Sequence, residues 1–464
     1  MQHENNVSGL SIVAVLLLVI GQVLPQVDFA IVNVSLDVLG KALNTDETGL
    51  VLIVALYGLS FSALITTGGR LGDKYGRKRL FMVGIVGFCI ASALCGLASG
   101  IVSMLLGRVL QGVFAALLLP QILATIHATL EGERHRYVVG IYTSIGGLSA
   151  ILGQVAGGWL VSANLWNLGW RVAFFINVPI CIVIFIFGCL TIPETRSSDT
   201  RQSMDLGGIA LFILCLLSVM VPISLGGRWH GLWWWLAATV PCAFLLWRVE
   251  RGHERAGRKA ILPPTMFREA MVKNGFVREM TVTFAFPGYL FVTALCLQSE
   301  LGFTPLESGN AFVALGAMFF VGSLISKRLG HRLGDHLSYA LGALLTVSGF
   351  LATIWLFYHF NHRLTFYDLW GATGVIGLGN AIMLTSAYRL TLSHVDRRYA
   401  SEVSGALATV QQGCFALGTA FAGALYAGML RYGGLNAVML SIGALASLVV
   451  LVAIGLAIHV AHRR

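Results

Sequence analysis

Apolar runs of about 20 residues recur along almost the whole chain, from Leu10 to Val460, broken only by short polar clusters. A helix that crosses a bilayer needs roughly 20 such residues, so each run predicts one span. Cutting at the polar clusters places spans near residues 9–34, 48–69, 79–98, 102–126, 138–161, 171–192, 206–226, 231–248, 276–298, 309–328, 337–358, 366–390, 402–429 and 434–459. The pattern therefore predicts an all-α polytopic membrane protein of fourteen spans, with both termini on one side. Strands of a transmembrane barrel alternate polarity over about ten residues; these runs stay apolar over about twice that length.

Composition agrees. At 56% hydrophobic and 11% charged residues over 464 positions, with a mean hydropathy of +0.79, no stretch is left for a separate soluble domain. The net charge of +10 raises the question of nucleic acid, which the placement of the charge answers. Of the Lys and Arg residues, only Lys41, Arg171, Arg228, Arg363 and Arg431 fall on the side away from the termini, and Arg108 falls within a span. Cytoplasmic loops carry the basic excess, so both termini are expected in the cytoplasm, the protein in the cell inner (plasma) membrane, and no nucleic-acid partner is implied. Trp159, Trp166, Trp170, Trp229, Trp233, Trp234, Trp235, Trp355 and Trp370 fall at expected outer ends and Trp247 at an inner one, as amphipathic indoles should. The eight cysteines lie inside apolar segments without ligand spacing, which reads as packing rather than metal or disulfide chemistry. The first apolar run is too long for a signal-peptide core and is expected to be retained.

The tetrapeptide Arg70-Leu71-Gly72-Asp73 follows the second expected span, and an identical Arg332-Leu333-Gly334-Asp335 follows the tenth. Repeated bundles are common in transporters. The matched positions imply two six-span halves with two additional spans between them: residues 1–200, 201–250 for the extra pair, a cytoplasmic linker at 251–275, and 276–464.

Around the first copy the chain reads Gly69-Arg70-Leu71-Gly72-Asp73-Lys74-Tyr75-Gly76-Arg77-Lys78-Arg79. Glycines let helix ends approach, an acid and a base four residues apart can pair, and the basic cluster cannot cross the membrane. This segment resembles the loop signature of the major facilitator superfamily. The resemblance implies a fold of two six-helix bundles and a gate in which Asp73 and Arg77 latch the halves on the cytoplasmic side in the outward-open state. The second copy lacks the Tyr-Gly-Arg-Lys tail, so Asp335 is expected to contribute less than Asp73. Further segments resemble signatures of the fourteen-span drug:proton antiporters: Asp28-Phe29-Ala30-Ile31-Val32-Asn33-Val34-Ser35-Leu36, Trp170 through Pro179, and Leu297 through Gly309. Ala30 and Asp37 depart from that pattern, where Thr and Pro are usual.

An ionisable group inside a span is expensive and usually functional or paired, which singles out Asp28. Arg108-Val109-Leu110-Gln111-Gly112 resembles the superfamily's fourth-span motif, in which the arginine supports proton transfer, and the spacing puts Arg108 and Gln111 on one helical face. Both Asp28 and Arg108 are expected in the outer half of the bilayer, close in depth, so that Asp28 loads and releases a proton as the cavity alternates between faces. In the fifth span Gln154 stands where the antiporter signature has proline. Gly153-x-x-x-Gly157 reads as close helix packing, with Gln154 as a donor to substrate the alternative.

Candidate cavity residues are Gln22, Gln26, Tyr57, Gln111, Gln154, Phe286, Tyr289, Met318, Phe319, Asn380, Met383, Gln411 and Gln412; aromatic and Met surfaces suit promiscuous apolar or cationic ligands. The tenth span holds no acid, and no second cation site is read in the C-terminal half. No P-loop, G-x-S-x-G or H-E-x-x-H occurs, so no enzyme activity, cofactor or metal is expected. The expected function is proton-coupled export of small amphipathic or cationic compounds by a monomer whose partners are substrate, protons and lipid. The alternatives are export of one endogenous metabolite or siderophore, and a non-transporting sensor or lipid-handling protein.

Overall fold

The computed structural model describes residues 10–196, 206–226, 229–256, 264–393, 395 and 400–461. Every regular element among them is helical. The helices are α1 (Ile12–Asn33), α2 (Leu36–Leu43), α3 (Glu47–Tyr75), α4 (Arg77–Gly96), α5 (Ile101–Thr129), α6 (Gly132–Ser162), α7 (Val172–Phe175), α8 (Asn177–Thr191), α9 (Leu206–Leu225), α10 (Leu236–Arg255), α11 (Ala270–Ser299), α12 (Pro305–Asn310), α13 (Val313–Leu333), α14 (Asp335–Phe360), α15 (Leu369–Leu392), α16 (Ala400–Met429) and α17 (Gly434–Ala461).

Among the described residues, 13 helical segments are long and apolar enough to cross a membrane. The protein is thus a multi-pass membrane protein. The 31-residue α6 occupies the expected fifth span but is not one of the 13. Boundaries differ from the apolar runs where amphipathic turns extend a helix. α10 continues past Trp247 through Arg-Val-Glu-Arg to Arg255, and α11 starts at Ala270, six residues before its apolar run. The sixth expected span is divided at Ile176 into α7 and α8, because Pro179 has no N–H to give the Phe175 carbonyl.

Glycines fix how the helices cross. A Cβ on Gly112 of α5 would run into the Tyr57 carbonyl and the Ser60 hydroxyl of α3, and one on Gly68 of α3 into the Ala116 carbonyl of α5. Small residues admit such backbone approach. Overpacking of this kind costs typically about 1–3 kcal/mol. Gly112→Ala is therefore expected to lower the thermal unfolding midpoint of the purified protein, whereas Gly140→Ala, with nothing within 4 Å of its added Cβ, should leave it unchanged.

The face where α1 begins is here called the near face, and the opposite one the far face. The two halves join at mid-membrane and at the far face. At mid-membrane α3 runs antiparallel to α16: a Cβ on Gly58 would lie 3.0 Å from Ala416 Cβ, and Ser62 Oγ donates to the Thr409 carbonyl at 2.8 Å. The end of α6 meets α12, with the Leu306 N–H donating to Ser162 Oγ at 3.0 Å. One buried apolar core runs through this region, from Ile31, Leu36 and Val51 in the first half to Phe291, Phe312 and Ala420 in the second. Toward the near face, Phe81, Ile85 and Ile122 belong to a second core and Phe276, Val403 and Leu407 to a third. α9 packs against both α3 and α16 at the seam, and α10 lies outside it against α9.

Candidate functional site

Asp28 and Arg108 form a direct ion pair deep in the first half. α1 carries Asp28 three residues after Pro25, and α5 carries Arg108 two turns from its start; the side chains are 1% and 0% exposed. Arg108 Nη1 donates to Asp28 Oδ2 at 2.5 Å and to Gln111 Oε1 at 2.7 Å, while its Nε donates to the Ile53 carbonyl at 3.0 Å. The other carboxylate oxygen, Oδ1, accepts from Gln111 Nε2 at 3.0 Å and from Asn177 Nδ2 at 2.8 Å. Ser92 Oγ accepts from both amides, at 2.8 Å from Gln111 and 3.3 Å from Asn177. The guanidinium lies over the Tyr57 ring, 4.3 Å from its centroid, and the Tyr57 hydroxyl donates to the Pro25 carbonyl at 3.0 Å.

Five helices thus contribute to one buried network: α1, α3, α4, α5 and α8. A buried charge pair is costly unless its remaining lone pairs and protons are met; here Asp28 has three donors, while Arg108 Nη2 has no hydrogen-bond partner among the described residues. The expected closeness of Asp28 and Arg108 is realised as contact, and Gln111 lies on the Arg108 face as its spacing requires. Asn177 and Ser92 join the network without having stood out in the sequence. Asn177 lies inside the Trp170–Pro179 segment, and an amide or hydroxyl in an apolar run was the available signal.

The gate segment lies at the near-face end of α3. Gly76, at φ +110°, makes the turn into α4, in a conformation that favours glycine. Arg77 Nη2 donates to Asp73 Oδ1 at 2.7 Å and Nη1 to the Ala124 carbonyl of α5 at 3.1 Å. A Cβ on Gly69 would lie 3.6 Å from Pro120 Cβ, and one on Gly72 would enter the Gln121 side chain. Arg70 is half-buried on the same helix end. In the second copy Gly334, at φ +79°, turns α13 into α14, and Asp335 pairs with Arg389 of α15 at 2.7 Å. Arg389 also donates to the Ser326 carbonyl at 3.0 Å. The missing basic tail of this copy is thus replaced by an arginine 54 residues away, which no local motif discloses.

The remaining residues scatter. Gln22 is buried with Oε1 lacking a hydrogen-bond partner among the described residues, and Gln154 is buried with neither amide atom partnered. A Cβ on Gly153 would fall 2.6 Å from Ala30 Cβ and one on Gly157 2.9 Å from Ile31 Cα, so this stripe packs α6 on α1. Gln26, Phe286, Met318, Phe319 and Gln411 are half-buried and Gln412 is buried. Tyr289 stacks on Phe350 and meets Thr353 at 3.2 Å, Met383 Sδ accepts from Thr346 at 3.5 Å, and Asn380 donates to its own helix at the Ile376 carbonyl. These last three pack within the C-terminal helices. A buried acid absent from the expected sites is Glu279 of α11, 0% exposed. Because α11 begins six residues before its apolar run, Glu279 lies inside the helix rather than at the span's edge.

The chain's residues 18–419 match the family model of the Major Facilitator Superfamily. The probable actinorhodin transporter of Streptomyces coelicolor is 31% identical over 88% of this chain and 71% of its own length. The puromycin resistance protein of Streptomyces alboniger is 31% identical over 86% and 78%, and the tetracenomycin C resistance and export protein of Streptomyces glaucescens 28% identical over 88% and 74%. Among solved structures, a peptide transporter POT in complex with sulfate superposes with a TM-score of 0.70 at 14% identity, covering 97% of this chain and 94% of that one. A bacterial homologue of the human lysosomal transporter Spinster, in an inward-facing and unoccupied conformation, gives 0.68 at 16% identity, covering 95% of each. The chain belongs to the Major Facilitator Superfamily.

Proposed function

We propose that this protein is a proton-coupled exporter of small amphipathic or cationic compounds, working by alternating access. The observation that carries the reading is the Asp28–Arg108 pair: a carboxylate and a guanidinium fully removed from solvent, with Asp28 held by three donors on α5 and α8. A proton added to Oδ2 competes directly with the Arg108 contact. The pair would then relax, and α1, α5 and α8 would lose a shared anchor where the halves must rock. Relatives named for resistance to, or export of, actinorhodin, tetracenomycin C and puromycin support the substrate class and the direction.

In this reading α6 is the fourteenth span, both termini are cytoplasmic, and the protein is a monomer in the inner membrane with six-helix bundles at 1–200 and 276–464. The near face is then cytoplasmic, and the joining of α6 to α12 at the far face supports a conformation open toward the cytoplasm. The Asp73–Arg77 latch is free to engage the other half when the far face opens. Among the described residues Gln154, with Nε2 and Oε1 unpartnered, is the best-supported cavity donor, and Gln22, with Oε1 unpartnered, ranks beside it as an acceptor.

The test is ethidium transport into inverted membrane vesicles carrying the protein. Uptake driven by an acid interior, abolished when nigericin collapses the gradient, is the expected result; uptake unaffected by nigericin would refute proton coupling. Relatives named for single antibiotics favour the alternative of one dedicated substrate, which predicts a single strong hit in a compound panel and no ethidium movement. A sensor or lipid-handling protein would move neither.

A further inference from the structure

Glu279 lies about 14 Å from the near-face start of α11, counting 1.5 Å per residue. Its side chain is fully buried, and among the described residues neither carboxylate oxygen has a hydrogen-bond partner. Among the described residues it forms no ion pair. The adjacent Arg278 instead turns to His336, Nη2 to Nδ1 at 3.1 Å, and its guanidinium lies 5.5 Å from the Tyr339 ring centroid. Among the described residues Glu279 acts electrostatically on Tyr388 of α15, Cys414 of α16 and Tyr339 of α14, all of them neutral groups. The Tyr388 hydroxyl donates to Gln411 Oε1 of α16 at 3.1 Å. Tyr388 also lies within electrostatic reach of Tyr142 of α6, which belongs to the other half. The acid therefore lies on the side of α11 that feels Tyr339 and Tyr388, and Tyr388 in turn reaches toward the other half.

A buried carboxylate without donor or counter-ion is costly, and the cost is removed either by a proton or by a cation. Rings around such an acid add attraction for a cation over their faces. We propose that Glu279 is a binding site for a single positive charge on a lipophilic substrate, occupied by a proton when substrate is absent. The exchange balances: the cation displaces the proton from the carboxyl group, which remains as carboxylate, and the proton leaves to solvent. Asp28 cannot serve this purpose while Arg108 and two amides fill its acceptor sites. With one free acid, monovalent cations fit and divalent ones do not. This deepens the export reading and rests on it for the word substrate.

The test measures tetraphenylphosphonium binding to the purified full-length protein by calorimetry, with proton release followed by a pH dye in weak buffer. The wild type is expected to bind and to release about one proton per cation. Glu279→Gln is expected to bind the cation at least tenfold more weakly and to release none, while binding neutral triphenylphosphine oxide as the wild type does. Glu279→Asp should recover proton release. Unchanged cation affinity and proton release in Glu279→Gln would overturn the proposal, as would a wild type that does not bind the cation. A Glu279→Gln protein that loses the neutral ligand as well counts against a charge-specific site. If the cation binds as expected but vesicles do not move it, the export reading fails and the site stands.

Discussion

Asp28→Asn is expected to reduce pH-gradient-driven transport to the level of vesicles without the protein, while the variant inserts and remains folded. The amide has nearly the same shape, and its oxygen still accepts from Arg108. What it cannot do is exchange a proton. The native carboxylate accepts from Arg108 Nη1 at 2.5 Å, Asn177 at 2.8 Å and Gln111 at 3.0 Å, and on the proposed mechanism a proton arriving there displaces the Arg108 contact. Exchange of labelled substrate between equal concentrations on the two sides, which needs no net proton movement, should survive better than uphill transport. Uphill transport at the wild-type rate in Asp28→Asn would remove Asp28 from the coupling machinery.

Arg108→Met is the more damaging change to the fold. It leaves Asp28 with an uncompensated charge 1% exposed, and breaking a buried pair from one side costs about 3–5 kcal/mol. The Ile53 carbonyl and the Tyr57 ring lose their partner too. The thermal midpoint of the purified variant should fall markedly. Adding Asp28→Asn to Arg108→Met should restore much of the loss, because the orphaned charge is then gone. Such non-additivity is the signature of direct coupling. Strictly additive losses would mean that the two side chains do not stabilise each other.

The parts of the site governed by local spacing were legible in the sequence. Asp28 and Arg108 declared themselves because charge within an apolar run has few inexpensive explanations, and Gln111 followed from helical periodicity. The glycine stripe of α6 was readable as packing for the same reason. Asn177, Ser92 and Arg389 were not legible, since their roles depend on which helices meet: Arg389 and its partner Asp335 are 54 positions apart. Glu279 was hidden for another reason. It follows Arg278, and a charged pair at the edge of an apolar run reads as a loop boundary until the helix is seen to start at Ala270. For Tyr289 and Met383, apolar character alone could not separate packing from cavity lining, and the folded chain places both among C-terminal neighbours. The 13 membrane-length segments match the expected spans in order, with α6 in the fifth place.

On the proposed mechanism the Asp28 carboxyl changes protonation as the halves rock. Infrared difference spectroscopy on the Glu279→Gln background, with the transporter trapped by cross-links at either the near or the far face, reads that event directly. A protonated-carboxyl band that appears in one trapped state, vanishes in the other and is absent once Asp28→Asn is added is the expected result. A spectrum in which Asp28 stays ionised and paired with Arg108 in both states would exclude Asp28 as the proton carrier.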